Sequence, residues 1–266
     1  MTELIHDAQE INKLAEAFQS VSEDVTITTE VPPSTSVDLP GGYLFVDGTV
    51  GKVAEVRELN GLDEEAVAKT SSVNQALNVI LERGLVNIDG ETLSKKDLDT
   101  LLVGDRDAIL LAICAVTFGG DVTYTGVCPS CAVTQQVSID LTKDIVTKVL
   151  DNPIEDRVVQ VTLKAGEALI TLPNMITNKK LTENESKSFA ESVTDLLSGC
   201  LISIDGVPSL GRSTALQLGV SDREKIAGAL YENAAGPRLA EVSKACEACD
   251  TEIFVPLSLA SLFRLQ

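Results

Sequence analysis

The chain has 266 residues, enough to bury a substantial core in one or two domains. Its 40 acidic side chains against 21 basic ones give a formal charge of -19, which argues against non-specific nucleic-acid binding, because a phosphate backbone needs a concentrated positive surface. Six Phe, three Tyr and no Trp leave few rings for base stacking, and the single histidine, His6, argues against a histidine triad or a histidine-rich metal centre in the body.

The first residues, Met1 to Asp7, are acidic and no basic region leads into a long apolar run, so no targeting signal is expected. The most apolar stretch, Ala108 to Phe118, is too short to span a bilayer. A soluble protein of the cytoplasm is the simplest expectation. From Leu4 to Val21, apolar residues recur every three or four positions (Leu4, Ile5, Ala8, Ile11, Leu14, Ala15, Phe18, Val21), which predicts an amphipathic helix. A strand-like Val25 to Val31 follows, and Pro32 to Ser36 reads as a linker. Residues 1–31 are thus either a docking arm or a helix folded back on the body.

From Leu39 the pattern is that of an α+β unit. Strands are expected at Tyr43 to Asp47 and Lys52 to Glu58, helices at Asp63 to Lys69 and Ser72 to Arg83, and a strand at Leu85 to Ile88 that turns at Asp89-Gly90. Ser94 to Asp97 resembles a capping box. A helix begins near Asp105, turns Ile109, Leu110, Ile113, Val116 and Thr117 towards a core and stops at Gly119-Gly120. A strand from Val122 to Val127 enters Cys128-Pro-Ser-Cys131, and Gln135 to Ile139 leaves it.

The second half repeats that order. Gly166 to Leu172 reads as a strand, Thr182 to Leu197 as a helix, Gly199 to Ile204 as a strand into Asp205-Gly206, and Asp222 to Glu232 as a helix that stops near Gly236-Pro237. Leu239 to Lys244 then leads to Cys246-Glu-Ala-Cys249, and Ile253 to Leu257 leads away. Asp89 recurs as Asp205 after 116 residues, Asp105-Arg-Asp107 as Asp222-Arg-Glu224 after 117, and Cys128 and Cys131 as Cys246 and Cys249 after 118. Landmarks in one order at so constant an offset predict an internal duplication. The expected organisation is an internally duplicated, two-lobed α+β protein: residues 1–31, a first lobe at 39–141, a connector at 142–165 and a second lobe at 166–266.

A Cys-x-x-Cys turn between two strands points both sulfurs to one side, where each can bind a tetrahedral metal at about 2.3 Å. Each pair supplies half of a shell, so lobes that face each other would complete one four-thiolate site from Cys128, Cys131, Cys246 and Cys249. Zinc is the expected ion; an iron-sulfur cluster uses the same ligands, and unligated thiols stay open too. A redox dithiol usually sits at a helix N-terminus, unlike either pair here. A zinc hydrolase is disfavoured, since four thiolates leave no position for water. Cys114 and Cys200 lie in apolar segments and read as buried small residues.

Other constellations suggest no chemistry. Asp105-Arg-Asp107 and Asp222-Arg-Glu224 sit at helix starts, where carboxylates serve as caps. Asn60 to Glu65 reads as a turn and a first helical turn with solvent-facing charge. Gly41-Gly42 and Gly206 to Gly211 lack a phosphate-binding pattern, and Arg57, Arg106, Arg157, Arg212 and Arg223 are scattered.

Leu39-Pro-Gly-Gly-Tyr43, Gly51 to Glu65, Leu102-Val-Gly-Asp-Arg-Asp107 and Cys128-Pro-Ser-Cys131, in that order, resemble the family of baseplate proteins of T4-like bacteriophages, which includes hub components and hub-assembly factors. The resemblance covers about 39–141 and reaches the second half only through the repeat. It implies a part in tail construction, either retained in the baseplate or tail tip of the virion or acting as an assembly chaperone in the host cytoplasm. It implies other tail and baseplate proteins as partners, metal binding at Cys128 and Cys131, and no active site. Homo-oligomerisation stays open, and a thiol oxidoreductase is the alternative from another class.

Overall fold

The computed structural model describes residues 35–182 and 187–265. The expected helix at Leu4 to Val21, the strand at Val25 to Val31 and His6 lie outside the described residues.

Strand β1 (Thr35–Leu44) pairs antiparallel with β2 (Val50–Val56), Thr35 opposite Val56 and Asp38 opposite Val53. The strand therefore starts inside the expected linker and ends short of Asp47, because Val37 and Leu39 turn towards the core from Thr35 onward. The register slips between Asp38 and Tyr43, where Leu39-Pro-Gly-Gly42 is buried. Helix α1 (Gly61–Ala68) starts with a capping box formed by Asn60 and Asp63. Helix α2 (Val73–Gly84), capped by Ser72, runs directly into β3 (Leu85–Ile88). There Ala54 faces Ile88, with a bulge between Glu55 and Val56. Asp89 follows at φ 46°, and its carboxylate accepts the N–H groups of Lys52 and Val53. After a 3-10 turn at Asp97–Thr100, helix α3 (Val103–Phe118) carries Ile109, Leu110 and Ile113 into the core and ends at Gly119. Strands β4 (Asp121–Val127) and β5 (Thr134–Asp140) form a hairpin.

A two-residue strand, β6 (Thr147–Lys148), precedes β7 (Val158–Leu163) and β8 (Gly166–Thr171), so β7 falls in the stretch expected as a connector. Helix α4 (Met175–Thr182) comes next. Where one helix from Thr182 to Leu197 is expected, α5 (Phe189–Cys200) starts only after Ser188, whose side chain and that of Glu191 cap the helix reciprocally. Gly199 and Cys200 close that helix, and the strand β9 begins at Leu201 (Leu201–Ile204). Strand β10 (Val207–Pro208), helix α6 (Arg212–Gln217), helix α7 (Val220–Asn233) and strand β11 (Gly236–Pro237) follow. Strands β12 (Ser243–Ala245) and β13 (Glu252–Phe254) pair, and a short helix, α8 (Leu259–Leu262), comes last.

The second sheet has the order β10-β9-β8-β7. Ala168 faces Ile204 there, with a bulge between Leu169 and Ile170, the same place in the ladder as in the first sheet. Small antiparallel sheets and helices thus build an α+β protein. The larger core joins β1, β2, α2 and α3 to Val137 and Ile139 of β5 and to Leu259, Leu262 and Phe263 at the chain's end. A second core gathers Leu163, Ala168, Ile170, Leu197, Cys200, Ile226 and Leu230. Between them, Val103 donates its N–H to the Pro173 carbonyl, Met175 donates to Leu101, and Leu102, Leu150, Leu172 and Ala235 share a small apolar cluster.

Candidate metal centre

Each Cys-x-x-Cys turn closes a hairpin in the same way. Cys128 donates its N–H to the Val133 carbonyl (3.0 Å) and accepts from Ala132 (3.0 Å), which has φ 59°. Cys246 donates to Thr251 (2.9 Å) and accepts from Asp250 (2.9 Å), which has φ 56°. Both turns are thus wound to the left-handed region at the residue after the second cysteine, which aims the paired sulfurs to one side.

The hairpins β4–β5 and β12–β13 bring their tips together. Cys128 Sγ lies 3.5 Å from Cys249 Sγ, Cys131 Sγ lies 3.7 Å from Cys246 Sγ, and all four sulfurs fall within 4.8 Å of one another. A tetrahedron with metal–sulfur bonds of about 2.3 Å has edges of about 3.8 Å. These approaches between the two pairs are far beyond the roughly 2.05 Å of a disulfide, and the cysteines are unpaired. Cys128 and Cys246 are buried beside Ile253, whereas Cys131 and Cys249 face solvent. Gly126 lets the hairpins close, for a Cβ there would sit 3.1 Å from the Ile253 side chain.

The surroundings favour negative sulfur unequally. The Thr251 hydroxyl and backbone N–H hold Cys249 down, to about 6. The backbone N–H of Cys131 lowers Cys128. The Val133 N–H pulls Cys131 down too, but some desolvation and the three neighbouring thiols together override it and push that thiol up to about 12. Four sulfurs this close ionise together only around a cation, so the donor set fits a divalent thiophilic ion and could hold one.

Two groups that sequence reasoning missed complete the surroundings. Gln135, on β5, places its Oε1 3.4 Å from Cys246 Sγ and 3.3 Å from the Glu247 N–H, bridging one hairpin to the other turn. Thr251 lies 3.3 Å from Cys249 Sγ. A threonine two residues past the second cysteine is a readable signal; nothing in the sequence marks Gln135.

The other candidates lie elsewhere. Cys114 is buried on α3, with burial pushing its thiol up to about 11, and Cys200 is buried at the end of α5, pushed to about 12. Asp105 and Asp222 do not cap their own helices. Asp105 accepts the Gly41 N–H of the first sheet (2.6 Å), and Asp222 accepts those of Lys164 and Ala165 in the second. Asp63, expected to face solvent, is buried and holds Arg57 and Arg83 at 2.8 and 3.0 Å.

Residues 51–206 match the family model described as T4 bacteriophage base plate protein. The chain belongs to that family. The match takes in the first cysteine pair and ends before the second. No curated protein and no solved structure matches this baseplate-family chain. No helix among its described residues is long and apolar enough to cross a membrane.

Proposed function

We propose that the chain is a non-catalytic structural component of the phage tail baseplate or tail tip, in which one zinc ion on Cys128, Cys131, Cys246 and Cys249 fixes two duplicated lobes. The observation that carries this reading is the convergence, in a baseplate-family chain, of two cysteine pairs from separate hairpins into one set of sulfurs at tetrahedral spacing. A saturated four-thiolate shell leaves no site for activated water, so its contribution is geometric. Zinc suits the site because it has no redox chemistry, and its binding energy becomes folding energy.

The duplication is supported by register. The bulge in β2–β3 recurs in β8–β9; a serine-capped twelve-residue helix feeds β3 and another feeds β9. Asp89 and Asp205, at φ 46° and 45°, each bind the neighbouring hairpin, and the two cysteine turns share one hydrogen-bond pattern. On this reading the connector shortens, and β7 opens the second lobe as β1 opens the first.

The working site is the virion tail, after assembly in the host cytoplasm, and the partners are other tail and baseplate proteins. Elemental analysis of protein purified without chelator tests the centre, with one zinc per chain expected. Zero metal in folded, reduced protein would overturn the site, and iron with sulfide would make it a cluster. Mass spectrometry of mature tails tests retention: presence at fixed stoichiometry supports a structural part, and absence despite abundant expression makes the chain a transient hub-assembly factor.

A further inference from the structure

Sheet edges offer unpaired backbone groups to any passing strand, and proteins guard them with proline, charge or brevity. Strand β10 has two residues and contains Pro208. Strand β1, at the edge of the first sheet, carries Asp38, Pro40 and a glycine bulge; its Pro40 carbonyl accepts the Leu150 N–H, and the Gly42 carbonyl accepts the Arg157 guanidinium. Strand β7 reads Val-Val-Gln-Val-Thr-Leu, without proline, glycine or charge, and ends the second sheet.

Val158 donates its N–H to Glu155, and the Thr162 carbonyl accepts from Lys225 Nζ, so these residues turn their backbone polar groups away from β8. Gln160 lies between them on the same side, and its N–H and carbonyl have no partner among the described residues. Along that edge runs a groove of about 410 Å³, lined by Lys148, Val149, Asp151, Asp156, Val158 and Gln160 among others. Val149 and Val158 stand 61% and 46% exposed there. Lys148 is tied to the Glu232 carbonyl and keeps its charge, and against it the carboxylates of Asp151 and Asp156 leave the groove with an excess of negative charge.

We propose that the β7 edge and this groove receive an extended segment of another tail protein, an inference that rests on the tail role above. The segment adds as a strand opposite Gln160, because an extended backbone offers a carbonyl and an N–H at the spacing of that N–H and carbonyl. It sets an apolar residue between Val149 and Val158 and a Lys or Arg beside Asp151 and Asp156. A second copy of this chain is the poorer occupant, since each copy carries a charge of -19.

Gln160→Pro removes the outward N–H while leaving the ladder to β8 untouched, and Gln160→Ala keeps it. In a phage lacking the chain, wild type and Gln160→Ala supplied in trans should restore infectious titre, and Gln160→Pro should fall at least about tenfold short. The Gln160 amide should exchange with deuterium rapidly in the free wild-type chain and slowly in the chain bound in tails or their assembly intermediates. Full restoration by Gln160→Pro, or equally fast exchange in both states, overturns the proposal; if that variant fails to fold, the exchange comparison decides alone. Protection that appears in the isolated chain as it dimerises assigns the edge to a second copy and overturns the heterologous partner. Failure of wild type itself to restore titre removes the tail role, and this inference with it.

Discussion

Asp105 and Asp222 show what one residue's chemistry does to its neighbour. In the first sheet Asp38 faces Val53, and in the second Thr162 faces Glu167; two residues further on stand Pro40 and Lys164. Lys164 and Ala165 each give an N–H to Asp222, whereas Pro40 has none to give, so Asp105 receives only Gly41 and its second oxygen is buried without a partner. Burial accordingly pushes Asp105 up to about 6, against the pull of the Gly41 N–H and Arg157. The folded chain then holds on Asp105 a proton that the unfolded chain has lost, so the contribution of Asp105 to stability falls as pH rises from about 4 to about 6 and is level above, by roughly 3 kcal/mol. Asp105→Asn keeps an acceptor for Gly41 and abolishes the titration. Urea unfolding across that window should show the variant gaining on wild type as pH rises, and parallel curves would refute the assignment. The cysteines separate by role in the same manner. With the proposed zinc on all four sulfurs, Cys128→Ser and Cys246→Ser should each lose it and melt about 10 °C or more below wild type, near the chelator-treated protein. Cys114→Ala should keep its full metal content.

At the scale of elements, Asp63 ties three pieces together: it accepts the Asn60 N–H at the start of α1, Arg57 beyond β2 and Arg83 at the end of α2. Burial opposes its ionisation, but those partners outweigh it and hold its carboxyl below the ordinary range. Asp63→Ala should destabilise the protein by about 2–4 kcal/mol in urea unfolding at neutral pH, because two arginines lose a buried partner. The α+β class, the cysteine hairpins, α2, α3 and α7 were legible in the sequence, since each follows a clear period between strong start and stop signals. Long-range groups decide what was not. The solvent-facing reading of Asp63 failed because Arg83, 20 residues away, supplies the charge that lets it be buried. Strand β7 was hidden in a polar-flanked stretch whose alternation has meaning only opposite β8. The start of α5 was readable after all, from Ser188 and Glu191 spaced as a capping box. Gln135 is invisible without the second hairpin beside it.

For the whole molecule, residues far apart in sequence share the larger core. Leu259, Leu262 and Phe263 are buried with α2 and α3, and Phe263 stacks edge-on to Phe118, so α8 is part of the larger core. Helix α3 and the strand β11 also touch through backbone, at Gly104 and Gly236. A Cβ at Gly104 would lie 1.7 Å from the Ala235 carbonyl oxygen, with main chain on both sides and no flexible side chain to give way. Gly104→Ala must therefore push β11 away from α3 or unwind the first turn of α3, and either should destabilise the protein by about 3 kcal/mol or more. Gly61→Ala, whose Cβ meets nothing within 4 Å, serves as the control and should leave stability near wild type. If the proposed zinc clamps hairpins that this contact already positions, adding zinc to metal-free Gly104→Ala should recover less stability than adding it to metal-free wild type, because the displaced backbone holds the two cysteine pairs off their tetrahedral spacing. Thermal unfolding of the four samples measures that difference directly. Equal zinc-dependent gains in both chains would mean that the hairpins find each other independently of the Gly104–Gly236 contact.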